Sequence, residues 1–191
     1  MPSSAFKHPV VIDPGKLKVE RFKETREVKS FRCGERDLDQ FLTTAEVTNY
    51  ESQGLGRTYL VYYDGGLVGY FTISNDSLRI DYLKKRKSFS IPSKKIVDAY
   101  PAVKIGRLAT ATDWQNKGIG RYVIGYIAKM ALETGTRSGV RLLILEAKPN
   151  SVGFYERCGF ELTYETGRER GKINRTMFLD LQSVDDLLPK K

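Results

Sequence analysis

Apolar and polar positions alternate along Leu17-Lys18-Val19-Glu20-Arg21-Phe22, which predicts a half-buried strand near the front of the chain. Leu38, Phe41, Leu42 and Ala45 then recur at helical spacing and predict one helix that ends before Gly54. Residues 58–63 and 67–73 read as two strands around Asp64-Gly65-Gly66, a strong hairpin signal. Residues 76–100 break this rhythm. They are rich in lysine and serine, carry Pro92, and predict an exposed basic connection with a short helix over 94–100. An apolar run over 103–110 predicts another strand. Beyond it, Ile119, Tyr122, Val123, Tyr126, Ile127, Met130 and Ala131 form the apolar stripe of a long helix. Leu142-Leu143-Ile144-Leu145 contains no polar residue, which suits a central strand covered on both faces. Further strands are expected near 161–164 and 176–181, with a last helical turn over 183–188. The sum is an α/β (α+β) protein: a mixed sheet with helices on both faces. Residues 1–15, with Pro2, Pro9 and Pro14, read as an irregular arm.

The junction between the 103–110 strand and the long helix carries the clearest chemistry. In Asp113-Trp114-Gln115-Asn116-Lys117-Gly118-Ile119-Gly120-Arg121, two glycines fall where the helix should begin. They remove side chains, so a ligand can come close to the main chain. The first N–H groups of a helix lack intrahelical partners and lie at its positive end, which suits a phosphate. Lys117 and Arg121 place cations on either side. A plain loop-to-helix junction with two convenient glycines is the alternative. A P-loop is excluded because Arg121-Tyr122, not Lys-Ser/Thr, follows Gly120. A dinucleotide fingerprint is excluded because Val123 stands where its third glycine belongs.

Composition adds compartment and partner class. The 191 residues, 40% hydrophobic and 29% charged, suit one domain over 1–191 with a real core. No apolar run is long enough for a membrane span, and the N-terminus lacks a signal-peptide centre. Cys33 and Cys158 are too few for a disulfide framework, and together these features suggest a cytoplasmic protein with reduced thiols. No metal site is expected. The net charge of +9, clustered at 84–87, 94–95 and 168–172, favours a polyanionic partner or marks a basic soluble surface.

Two motifs in order, Gln115-x-x-Gly118-x-Gly120 after one strand and Phe154-Tyr155-x-x-x-Gly159-Phe160 after the next, make the chain resemble the GNAT N-acetyltransferases. The resemblance implies the GNAT fold and an acyltransferase that uses acetyl-coenzyme A. It assigns the pyrophosphate to Gln115, Asn116, Lys117, Gly118, Ile119, Gly120 and Arg121. It assigns the pantetheine arm to the main chain of Leu108, Ala109 and Thr110. Tyr155 becomes the general acid at the thioester sulfur. Three departures bear on the substrate: the long basic 76–100 segment, Lys148 where an asparagine is usual with Asn150 two places on, and Thr110-Ala111-Thr112 in place of a Val-Asp-like sequence.

The front half resembles one GNAT branch in particular. Phe31-x-Cys33-Gly34-x-x-Asp37-Leu38-x-x-Phe41-Leu42, residues 56–61, residues 69–74 and Gly106-Arg107-Leu108-Ala109 are similar to the toxins that acetylate the amino group of aminoacyl-tRNA. The implied partners are a charged tRNA and a ribbon-helix-helix antitoxin, with a homodimer as a further expectation and no membrane. Other acceptors stay open: a protein amine or a small polyamine, or a non-catalytic module that binds coenzyme A or RNA. His8 lies in the N-terminal arm and Glu146 follows the apolar strand, so no general base stands out. A lysine amine near about 10.4 needs such help, whereas an α-amine near about 7.7 hardly does.

Overall fold

The computed structural model describes residues 12–83, 97–163 and 173–184. Its strands are β1 (Leu17–Arg21), β2 (Arg57–Tyr63), β3 (Gly66–Arg79), β4 (Ala99–Thr110), β5 (Leu142–Ala147), β6 (Glu161–Leu162) and β7 (Arg175–Asp180). Its helices are α1 (Arg26–Ser30), α2 (Arg36–Thr43), α3 (Glu46–Ser52), α4 (Ile119–Ser138) and α5 (Val152–Arg157). Seven strands form one mixed sheet in the order β1-β2-β3-β4-β5-β7-β6. Parallel pairing of β4 with β5 joins Ala102–Ile105 to Leu142–Leu145, and β7 pairs antiparallel on the other side of β5. The apolar 142–145 run is therefore central, as its pattern predicts.

Two compact units divide the chain, one from 1–71 and 108–122, the other from 72–107 and 123–191. In the first unit, Val28, Phe31, Phe41, Leu42, Val47, Leu60, Tyr70 and Ala109 form the core. Tyr70 is fully buried between Phe31 and Phe41, and its hydroxyl donates to the Leu38 carbonyl at 2.8 Å. That bond removes the cost of burying the phenol. The β2–β3 hairpin turns on Asp64 and Gly65, both at positive φ (52° and 86°), which matches the right-handed twist of its strands. In the second unit, Leu78, Leu83, Ala102, Leu142, Ile144 and Phe178 pack together. Arg141 grips Asp180 with two bonds of 2.7 and 2.8 Å and fastens the start of β5 to the end of β7.

Several expectations are corrected. The single helix before Gly54 is two, because Thr44 is extended and its hydroxyl accepts from Glu46 N–H at 3.2 Å, a local bond that competes with helix. Ala45 is exposed at the start of α3, and Val47 is buried instead. Residues 76–82, expected in the basic connection, are strand and a 3₁₀ turn instead. β3 continues to Arg79 and a single 3₁₀ turn covers Ile80–Tyr82, since ladder bonds belong to the main chain and tolerate exposed Asp76 and Ser77. The helix expected over 94–100 fails at Ala99 and Tyr100, which are strand; Tyr100 precedes Pro101, whose ring disfavours helix there. α1 carried no periodicity to find. The stripe on α4 is wider than expected, with Ile124 and Ala128 also buried. The basic clusters at 84–87, 94–95 and 168–172 lie outside the described residues, as do residues 1–11 with His8 and most of the 183–188 turn. No described helix is long and apolar enough to cross a membrane.

Candidate functional site

β4 delivers the chain to the turn. Ala111 N–H donates to the Val68 carbonyl at 2.8 Å, and a β-carbon on Gly69 would stand 2.7 Å from the Ala109 carbonyl oxygen. Those groups face β3. Peptide groups alternate along a strand, so the N–H and C=O of Leu108 and Thr110 face the opposite way. The β4–β5 register ends at Ile105, before this stretch begins. Ala109 turns its side chain into the core and its carbonyl toward β3.

Gly69 is a site-shaping residue that the resemblance did not assign, although a glycine inside a strand signals close backbone approach. Gly69→Ala is expected to push β4 outward at Ala109 and to destabilise the protein by about 1–3 kcal/mol. Urea unfolding measures this, and an unchanged midpoint would refute the close approach.

After a 3₁₀ turn over Thr112–Trp114, Asn116 (φ 59°) and Gly118 (φ 87°) adopt left-handed backbone. Asparagine and glycine are the residues that tolerate it. The Gly118 carbonyl accepts the first intrahelical bond, from Tyr122 N–H at 3.1 Å, so α4 opens with the N–H groups of Ile119 and Gly120 ahead of the intrahelical ladder. α4 runs 20 residues, long enough for a developed dipole. Ile119 is 1% exposed, and its side chain belongs to the interior. Lys117 holds its ammonium 4.7 Å from the centre of the Trp114 ring, which packs on Tyr63 at 5.0 Å. Arg121 is exposed on the first turn of α4.

Gln115 departs most from expectation. Its carboxamide nitrogen donates to the Cys33 carbonyl at 2.7 Å and to the Thr110 carbonyl at 3.1 Å. Thr112 reinforces the same junction, giving the Arg32 carbonyl a backbone bond of 3.0 Å and a hydroxyl bond of 3.2 Å. Burial pushes the Cys33 thiol up to about 11, which leaves it an inert neighbour.

Tyr155 sits on α5 in the second unit, with Phe154 at 5.0 Å and Phe160 at 5.7 Å, both edge-on. Burial, with a smaller push from Cys158, raises its phenol to about 12. Glu146 lies within β5 rather than after it, and Lys104 reaches it at 3.4 Å and Asp76 at 3.8 Å. Asn150 is exposed on the Pro149–Ser151 turn, where its side-chain oxygen accepts from Ser151 at 3.3 Å. Among the described residues, no three His, Cys, Asp or Glu side chains are grouped to hold a metal ion.

The acetyltransferase (GNAT) family pattern matches residues 22–160. A tRNA-acetylating toxin of Mycobacterium tuberculosis (strain ATCC 25618 / H37Rv) is 24% identical over 144 residues, 75% of this chain and 83% of its own length. Among solved structures, the toxin AtaT complexed with acetyl-methionyl-tRNAfMet superposes with a TM-score of 0.70 at 22% identity, covering 90% of this chain and 98% of that one. A tyrosine mutant of AtaT, bound to the C-terminus of the antitoxin AtaR and acetyl-coenzyme A, gives 0.68 at 22% identity over the same shares. At such identities the superpositions establish the fold.

Proposed function

We propose that this chain, which belongs to the acetyltransferase (GNAT) family, transfers the acetyl group of acetyl-coenzyme A to the amino group of an aminoacyl-tRNA. The observation that carries the donor half is the left-handed pair Asn116 and Gly118 opening the 20-residue helix α4. That backbone presents N–H groups and a positive helix end at one point, which fits a pyrophosphate. The acceptor half is supported by the tRNA-acetylating relative and by the AtaT complex with acetylated tRNA.

Bound acetyl-coenzyme A supplies an activated acetyl thioester. In this reading the chain's own groups do the rest. Main-chain N–H groups at 118–121 bind the phosphates, and the backbone of Leu108 and Thr110, turned away from β3, pairs with the pantetheine arm. Tyr155 keeps its proton at neutral pH, because burial raises its pKa. Full transfer from a phenol at about 12 to a thiolate near about 8.5 is uphill. Tyr155 therefore acts through the hydrogen bond it offers as charge grows on sulfur, keeping its own proton, and the departing thiolate is protonated from solvent. The attacking nitrogen loses its proton to solvent. An α-amine near about 7.7 needs little help to lose that proton at neutral pH, which suits an esterified amino acid as acceptor.

Mixing the protein with acetyl-coenzyme A and bulk charged tRNA tests the acceptor. Mass spectrometry of the aminoacyl ends should show an added acetyl group. Acetylation of lysine or polyamine in the same mixture, with tRNA untouched, would make the acceptor a protein or small amine. A ribbon-helix-helix antitoxin, a homodimer and a cytoplasmic location complete the proposal, and the AtaT complex with the antitoxin AtaR supports an antitoxin partner of some kind.

A further inference from the structure

We infer that Gln115 is a positioning residue for the donor, acting through the end of β4 rather than by touching phosphate; this rests on the donor half of the reading above. A carboxamide has two N–H donors. Gln115 spends both on main-chain carbonyls, Cys33 at 2.7 Å and Thr110 at 3.1 Å. The flipped amide would set its oxygen against two carbonyl oxygens, so this orientation is fixed by its partners. No side-chain donor remains for a pyrophosphate. The Thr110 carbonyl is one of the groups turned away from β3, where the pantetheine arm would pair, and Gln115 sets its position.

The other end of the brace is the loop between α1 and α2. That loop is anchored on its own side by Cys33 N–H donating to Asp39 at 2.7 Å. Packing alone does not join it to the turn, because an open cleft of about 450 Å³ is lined by Phe31, Arg32, Thr112, Asp113 and Trp114. Hydrogen bonds carry the attachment: one from Gln115 to the Cys33 carbonyl and two from Thr112 to the Arg32 carbonyl, while the second Gln115 bond holds Thr110 on β4. Gln115 thus ties the backbone of β4 to a loop 82 positions away in sequence.

Dissociation constants test this independently of the acceptor, using acetyl-coenzyme A and the phosphate-free acetyl-pantetheine. Gln115→Met, which keeps length but removes the donors, should weaken both ligands by about tenfold, the loss of one or two hydrogen bonds at about 1.4 kcal/mol per decade. Gln115→Arg, which keeps N–H donors, should recover most of that loss. A penalty seen with acetyl-coenzyme A but not with acetyl-pantetheine would return Gln115 to the phosphate and overturn the inference. So would a Gln115→Met protein that melts earlier but binds both ligands normally. Wild-type protein with no affinity for acetyl-coenzyme A would sink the donor reading itself, and this inference with it.

Discussion

Gly120→Glu is expected to abolish acetyl-coenzyme A binding while leaving the protein folded. Gly120 is the second residue of α4, in ordinary helical backbone, so glutamate is tolerated there conformationally. Its carboxylate would enter the space that the first N–H groups of α4 leave for a phosphate, occupy the positive helix end and repel the ligand. A loss of at least about a hundredfold, ~2.7 kcal/mol, is expected by calorimetry. Gly118→Glu should do the same with an added folding penalty, since Gly118 sits at φ 87°, where any L side chain is strained. Circular dichroism separates the two effects. Near-native affinity in a folded Gly120→Glu protein would remove the turn from the donor site.

Tyr155→Phe should lower turnover by roughly tenfold to a thousandfold with little change in acetyl-coenzyme A affinity. The ring remains to pack against Phe154 and Phe160, so only the hydroxyl is lost. The pH profile sharpens the test. Burial disfavours the phenolate and lifts Tyr155 to about 12, so the protonated, active form persists throughout the neutral and mildly alkaline range. Deprotonation of this residue therefore contributes no alkaline limb below about pH 11, one unit under that value. The mutant should run parallel to the wild type, displaced downward at every pH. Equal turnover would mean that water or another group serves the sulfur. A wild-type profile that falls through the ordinary tyrosine range, near about 10, and flattens in the mutant would contradict the buried environment.

Much of the scaffold is written in short-range pattern. The alternation at 17–22, the Asp64-Gly65 turn and the apolar 142–145 run each predict the element that forms, because each depends on neighbours two to four positions away. Gly118 is readable for the same reason: a glycine ahead of an apolar stripe marks a helix start, and α4 begins at the next residue. Where local chemistry competes, pattern fails. The hydroxyl of Thr44 cuts one expected helix into α2 and α3, although Leu38, Phe41 and Leu42 keep helical spacing up to that break. β3 outruns its apolar stretch because backbone ladders do not need apolar side chains.

The sequence by itself determined the strand and helix periods, the place of the glycine turn and the order of the two motifs, all properties of adjacent residues. Tertiary structure alone decided what those motif residues touch. The family resemblance assigns Gln115 to the phosphate, yet its donors are consumed by Cys33 and Thr110. Lys117 reads as a free cation but rests on Trp114. Gly69 reads as one glycine in a strand, and only the folded sheet brings the Ala109 carbonyl to where its side chain would be. A hydrogen bond or a steric exclusion acts over about 3 Å in space, whatever the separation along the chain. Residues far apart in sequence therefore settle the role of a side chain that its own neighbours leave open.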